Sequence, residues 1–273
     1  VTLAFISANV AITNGADLIR TGQADIVIAG GMESMSDIPI CYRKPFRQKL
    51  LETQKYKGPI DFLKFPKGIR LKDLLPEIPS IAEFSTGRLM GEDCDRLAAR
   101  MGISREAQDE YAVRSHLAAA RATVEGMFAG EIEPVRVSPD FEPIAADNGF
   151  RANTSLDKMK SLKPAFLKKY GTVTAGNSSF LTDGAAAVLL MSEERAMALG
   201  YKPKAWIRAY AYSAQDPEEE LLLGPAYASP KGLDTAGLGL ADIDVFEFHE
   251  AFAGQVLANL QCLSSDRFAR DKL

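Results

Sequence analysis

The run Asp25-Ile26-Val27-Ile28-Ala29-Gly30-Gly31 constrains this chain more than any other segment. It is apolar, β-branched and too short for a helix, so it reads as a buried strand. Directly before it, an apolar-periodic helix opens around Ala4-Phe5-Ile6-Ser7-Ala8-Asn9 and runs to about Thr21, with Gly22 as its stop. A helix feeding a strand covered on both faces belongs to a layered α/β fold. The same signature returns late in the chain. Thr172-Val173-Thr174-Ala175 and Ala185-Ala186-Ala187-Val188-Leu189-Leu190-Met191 read as buried strands, Ser192 caps a short helix that stops at Gly200, and Ala205 to Tyr212 reads as another strand. A helix near Pro230 to Ala236 leads to a strand from Asp244 to Phe248 and a last helix from Glu250. Between these regions, residues from about 38 to 170 are rich in Pro and Lys and lack regular strand patterning. They carry one long helix, from the cap-like Ser104 to about Gly126. The pattern predicts an α/β fold with a long insertion between adjacent elements of one sheet.

Composition removes several alternatives. A chain of 273 residues, 47% hydrophobic and 25% charged, can bury a large core, as more than one unit, and is neither disordered nor collagen-like. The net charge of -4 argues against a dedicated nucleic-acid binder. Cys41, Cys94 and Cys262 lie too far apart for a disulfide framework or a metal site, which favours a reducing compartment and bystander thiols. No apolar run is long enough to span a bilayer, and no secretory signal precedes the first helix; a chain opening at Val1, almost inside that helix, is expected to lack upstream segments.

Three residue groups invite a functional reading from pattern alone. A side chain at the N-terminus of the first helix, where Phe5 stands, feels the positive end of the macrodipole, which would activate a thiol and does nothing for a phenyl ring. His249 follows a strand-like run and opens a helix, a junction where α/β proteins place sites and also where a histidine can be a plain structural cap. The stretch 43–72 interleaves Arg43, Lys44, Arg47, Lys49, Lys64 and Arg70 with Phe46, Leu51, Phe62, Leu63 and Leu71; it suits an anionic membrane surface, a partner helix or a basic loop at a ligand entrance. His116, mid-helix beside Arg114, is expected at the surface, and Gly30-Gly31 lacks the spacing of a phosphate loop.

The strings Gly171-Thr172-Val173-Thr174-Ala175-Gly176-Asn177-Ser178-Ser179, Leu181-Thr182-Asp183-Gly184-Ala185-Ala186-Ala187 and Phe248-His249-Glu250-Ala251-Phe252-Ala253 resemble the thiolase family, in the family's order and over essentially the whole chain. The Phe-His-Glu-Ala-Phe form and Leu221-Leu222-Leu223-Gly224-Pro225 are similar to the branch that serves as β subunit of the fatty-acid oxidation trifunctional complex. The resemblance implies a five-layered α-β-α-β-α thiolase fold of two similar halves, truncated at both ends. Residues 1–37 and 171–192 would form the first half, 38–170 an inserted loop domain and 193–273 the second half.

The implied reaction is thiolytic cleavage of 3-ketoacyl-CoA by CoA, through an acyl-thioester on a cysteine. By resemblance Phe5 occupies that cysteine's position, with Leu3 where a Gln is usual, and His249 holds the water of an oxyanion hole. Met90 and Phe252 would line the acyl-pantetheine pocket, while Arg151, Phe166, Ala175 and Ser179 would lie along the CoA tunnel; without the resemblance, Arg151 reads as a solvated charge and Ala175 and Ser179 as tight packing. CoA and acyl-CoA are substrates, and no further cofactor or metal is implied. Implied partners are a second copy or a tetramer, a hydratase/dehydrogenase α subunit and a membrane surface touched through 43–72, with no nucleic acid. The implied location is the bacterial cytoplasm or the mitochondrial matrix, peripheral to a membrane. The family's Gly-His-Pro-type segment and its Cys-bearing glycine segment do not occur before Leu273, and Cys262, in a helix-like run, cannot replace the latter. The chain itself is therefore expected to be inactive, or to be a catalytically dead CoA-binding or assembly subunit.

Overall fold

The computed structural model describes residue 3, residues 5–77 and residues 81–273. Its elements are α1 (Ser7–Arg20), β1 (Ile26–Glu33), β2 (Cys41–Tyr42), α2 (Lys44–Glu52), β3 (Pro76–Glu77), α3 (Met90–Met101), α4 (Arg105–Val124) and β4 (Val135–Arg136). There follow β5 (Pro143–Ile144), α5 (Leu156–Lys160), β6 (Gly184–Met191), α6 (Glu193–Ala198), α7 (Gly224–Ala236), α8 (Ala253–Leu263) and α9 (Asp266–Lys272). They divide into two compact units. One comprises residues up to Met32 with Ala82–Leu181 and Ala185–Leu273, and the other Glu33–Ile81 with Thr182–Gly184.

In the first unit β1 pairs with β6, two runs that are far apart in sequence. Helix α1 packs closely on this pair because position 15 is glycine: a Cβ there would lie 2.9 Å from Leu190 Cδ1 and 3.0 Å from Val27 Cγ1. Gly22, at φ +71°, stops the helix, as expected from its sequence. The strands themselves are less covered than their composition predicts. Ile28 is 76% exposed and Leu189 51%, because among the described residues this sheet has two strands, whereas a parallel-type apolar strand is buried by neighbours and helices on both faces.

Three runs expected as strands carry no ladder. In Thr172–Ala175 the backbone donors are taken by side chains: Asp95 Oδ1 accepts from Thr172 N at 2.7 Å and Val173 N at 2.9 Å, and Asn177 Oδ1 accepts from Thr174 N at 2.8 Å. In Ala205–Tyr212, the Tyr210 hydroxyl donates to both Asp17 carboxylate oxygens on α1, at 2.7 and 2.6 Å, and the Tyr212 hydroxyl meets Thr13. Asp244–Phe248 has no strand partner among the described residues.

The core of this unit is helical. Small residues along α8 let it sink between α3 and α4. At Gly254 a Cβ would stand 2.9 Å from Gln108 Oε1 and 3.1 Å from Cys94 Sγ. Leu97, Leu223, Ala226, Ala258 and Cys262 close one cluster, and Ala112, Met159 and Ala253 another. Buried Asn259 ties α7 to α8, accepting from Ala226 N at 2.9 Å and donating to Leu222 O and Gln255 O at 2.9 and 2.8 Å. Ser104 caps α4 and Ser192 caps α6 as expected, each Oγ accepting a main-chain N–H of the first turn, at 3.1 and 3.2 Å. Helix α3, which the sequence pattern does not announce, buries Asp93 and Asp95 beside Cys94, Leu97 and Ala98. Carboxylates on the inner face break the apolar period that a helix is recognised by. Helix α7 begins at Gly224, earlier than expected, and α8 at Ala253, later, because Glu250 is engaged in a side-chain clamp before the helix starts.

The second unit has little core. The two-residue strands β2 and β3 pair antiparallel, Cys41 with Glu77 and Tyr42 with Pro76. Edge-to-face rings, Tyr42 on Phe46 at 4.9 Å and Tyr56 on Phe62 at 5.2 Å, stand in for a sheet-on-helix interior. Asp73 is buried and takes Arg70 Nε at 3.1 Å, and Asp183 accepts from Ser36 N and Oγ at 2.8 and 2.5 Å. Leu63 and Leu71 are 78% and 89% exposed among the basic side chains of this segment. Among the described residues no helix is long and apolar enough to cross a membrane.

Candidate functional site

The loop Gly171–Ser179 is fixed from below by polar side chains of α3 and α4. Asp95, almost fully buried, accepts three main-chain N–H groups, from Leu167 (3.2 Å), Thr172 (2.7 Å) and Val173 (2.9 Å). The chain passes so close that a Cβ on Gly171 would lie 2.6 Å from Asp95 Oδ2. Gln108 Nε2 donates to Thr172 Oγ1 at 2.9 Å. Asn177 Nδ2 donates to Asp109 Oδ1 at 2.9 Å and to Thr172 O at 3.0 Å, and Arg105 Nε holds the other oxygen of Asp109 at 2.7 Å. These buried bonds set one loop conformation, since each bond lost would leave a donor without water, although Gln108 Oε1 is itself buried without a partner.

The same loop lies edge to edge with the segment before α8. Ser179 N donates to Ala251 O at 2.8 Å and Ala253 N to Asn177 O at 2.9 Å, with a bridge between Ser178 and Phe252. Glu250 anchors this segment to α4: its carboxylate oxygens accept from the Tyr111 and Ser115 hydroxyls, both at 2.5 Å. Burial first, and then the Glu250 charge, push the Tyr111 phenol up, so it stays a donor.

An open cleft of ≈ 260 Å³ results, lined by Tyr111, Ser115 and His116 of α4, Phe150, the backbone around Gly176, and Ser178, Ser179, Phe180, His249 and Glu250. His249, Ala175 and Ser179 are exposed, His249 and Ser179 in the cleft wall. Arg151 is exposed, and its backbone N donates to His116 Nδ1 at 3.3 Å. His116 corrects the expectation of a surface residue. It is half-buried on the inward i, i+4 row Gln108, Ala112, His116, Ala120, a spacing visible in the sequence.

Met90, Phe166 and Phe252 gather instead around buried Cys94 and Val173. The Phe166 and Phe252 rings meet edge-to-face at 6.1 Å, and Gly91 leaves room for the first of them, since a Cβ there would be 2.1 Å from Phe166 Cε2. Burial and then the neighbouring Asp95 charge push the Cys94 thiol up to about 12, which makes it inert. Cys262 is buried and likewise raised, chiefly by burial.

Phe5 is not among the cleft-lining residues. It stands two positions before α1, 66% exposed and at φ +67°, a left-handed backbone that is costly for a bulky residue. Ile6 offers the helix no side-chain cap, and its first turn holds no acid. Among the described residues no group of three His, Cys, Asp or Glu side chains could hold a metal ion.

Residues 1–194 match the thiolase N-terminal domain and residues 201–271 the thiolase C-terminal domain. The bovine mitochondrial trifunctional enzyme subunit beta is 54% identical over 271 residues, 99% of this chain and 56% of that protein. A 3-ketoacyl-CoA thiolase of Yersinia pestis is 46% identical over 263 residues, 96% of this chain and 60% of that protein. The crystal structure of human mitochondrial 3-ketoacyl-CoA thiolase superposes with a TM-score of 0.79 at 32% identity, covering 96% of this chain and 62% of that one. The chain thus spans little more than half the length of the relatives it matches.

Proposed function

The chain belongs to the thiolase family and has its α/β fold, and from that membership we propose that it derives from an acetyl-CoA C-acyltransferase of fatty-acid β-oxidation and that this chain still binds CoA but performs no thiolysis. The observation that carries the second half of this reading is Phe5. In the proposed reaction a thiolate attacks the 3-keto carbon of the acyl-CoA, acetyl-CoA departs, and CoA takes the acyl group from the thioester. A phenyl ring offers neither a lone pair to form that bond nor a proton to exchange, so the sequence stops before its first covalent step.

What remains is binding and orientation. His249 faces the cleft, where an imidazole can hold a water against a developing oxyanion. Arg151 can meet a phosphate with charge-assisted donors, and exposed Ala175 and Ser179 let an extended pantetheine run close to the backbone. On this reading Met90 and Phe252 line the acyl-pantetheine pocket and Phe166 the CoA tunnel; all three pack around Cys94 and Val173, outside the cleft-lining residues. CoA enters as substrate, and no separate cofactor is needed. On this reading residues 1–37 and 171–192 are the N-terminal half, 38–170 its loop domain and 193–273 the C-terminal half.

Partners follow the relatives. The bovine protein is named as one subunit of a trifunctional enzyme, and we carry to this chain a hydratase/dehydrogenase α subunit, a second copy of itself, and contact of 43–72 with an anionic membrane. The exposed Leu63 and Leu71 among lysines and arginines support that contact. They also support the second reading, an assembly subunit that binds no CoA. Titration calorimetry with CoA and an acetoacetyl-CoA cleavage assay on the purified protein separate the cases. Saturable binding without cleavage supports the first reading, absence of binding the second, and cleavage at the rate of an intact thiolase overturns both.

A further inference from the structure

His116 joins two walls of the cleft. Its Nδ1 accepts the backbone N–H of Arg151, and the other side of the ring faces the Gly176 backbone. The main-chain N–H can only donate, so Nδ1 carries no proton and the ring is neutral, with its hydrogen on Nε2. Protonation would place a second N–H against the Arg151 N–H and a positive charge beside the Arg151 guanidinium. Glu250, from the segment before α8, is the acid that faces the ring, and it is already committed to Tyr111 and Ser115. His249 lines the same cleft, and the loop Gly171–Ser179 brings no charged side chain.

We propose that His116 is a positioning residue: in its neutral form it holds the loop bearing Arg151 against α4, and on protonation it releases that loop. Burial first, and then the Arg151 charge, lower the histidine from its ordinary value of 6.5. A released or unfolded ring therefore takes a proton more readily than the latched one. The latch is fully present above about 6.5 and is lost as pH falls through the lower folded value. Its consequence for ligand binding rests on the reading of the cleft as a CoA site with Arg151 at its phosphates; the latch itself does not.

Hydrogen exchange at the Arg151 amide of the ligand-free protein tests the contact, expressed as protection relative to amides of α8. Wild type is expected to lose about fivefold in protection between about pH 8 and about pH 5, the worth of one hydrogen bond. In His116→Asn the Oδ1 atom takes the place of Nδ1 and does not titrate, so protection should persist at both pH values; His116→Phe should be unprotected at both. An equal pH response in wild type and His116→Asn would overturn the proposal, and that pair decides even if the Phe variant fails to fold. A purely structural role would lower protection in His116→Phe without separating wild type from His116→Asn by pH, which also counts against it. CoA titrations at the two pH values form a separate arm. The 3′-phosphate titrates alike in both proteins, so a larger acid loss of affinity in wild type ties the latch to binding. Absence of CoA binding alongside the expected exchange pattern sinks the CoA reading and leaves the latch standing.

Discussion

The loop Gly171–Ser179 and the turn at Phe5 are held in opposite ways. In the loop, Asp95 of α3 and the loop's own Asn177 answer the main-chain donors, Gln108 and Asp109 of α4 bond the side chains of Thr172 and Asn177, and Gly171 sits where a Cβ would collide with Asp95. At the turn a phenylalanine stands exposed in a left-handed conformation before a helix that no side chain caps. On the proposed reading, the difference teaches that a binding scaffold and a reacting group are specified separately. The scaffold is a web of buried bonds, whereas the position proposed for the nucleophile is one exposed side chain outside that web.

If that contrast is right, the largest effect comes from the web. Asp95→Ala strips the acceptor from three main-chain donors and should cost about 4 kcal/mol in urea unfolding, with Asp95→Asn losing roughly half as much. A loss below about 1 kcal/mol would mean that water replaces the carboxylate and that the loop is not fixed as described.

Glu250→Ala should be milder, about 1 kcal/mol, because the Tyr111 and Ser115 hydroxyls are only half-buried and can turn to water. Its sharper signature is spectroscopic. Removing Glu250 takes away its hydrogen bond and its charge, which after burial are the main causes that raise the Tyr111 phenol, so that tyrosine should ionise at lower pH in ultraviolet titration than in wild type. An unchanged titration would place Glu250 away from Tyr111 in solution.

The smallest effect, and of opposite sign, belongs to the turn. Phe5→Gly removes the left-handed penalty while giving up little burial, and should stabilise by about 1 kcal/mol. Destabilisation would show that the ring packs in solution and that the two regions are less different than they look.

The sequence was legible where its signals are local. Ser104 and Ser192 as caps, Gly22 and Gly200 as stops, and the strand runs at β1 and β6 need only neighbours to be read. It was opaque where a distant side chain overrides local preference. Thr172–Ala175 has a strand's composition, but Asp95, far away in sequence, takes the bonds a neighbouring strand would have supplied. Helix α3 hides for the complementary reason, since the carboxylates that do this work interrupt its apolar face. In the cleft, the motif strings and the i, i+4 row that turns His116 inward are legible, while the edge-to-edge bonding of the strings joins segments far apart in sequence and is not.

The central claim, a standing scaffold without a nucleophile, is tested most directly by intact-mass spectrometry of the protein after incubation with acetoacetyl-CoA, beside its Phe5→Cys variant. The account predicts an unchanged mass for the natural chain and an added acetyl group on the variant, whose thiol sits at a helix N-terminus that favours the thiolate. An acetyl group gained by the natural chain would show that another residue is the nucleophile and would contradict the account.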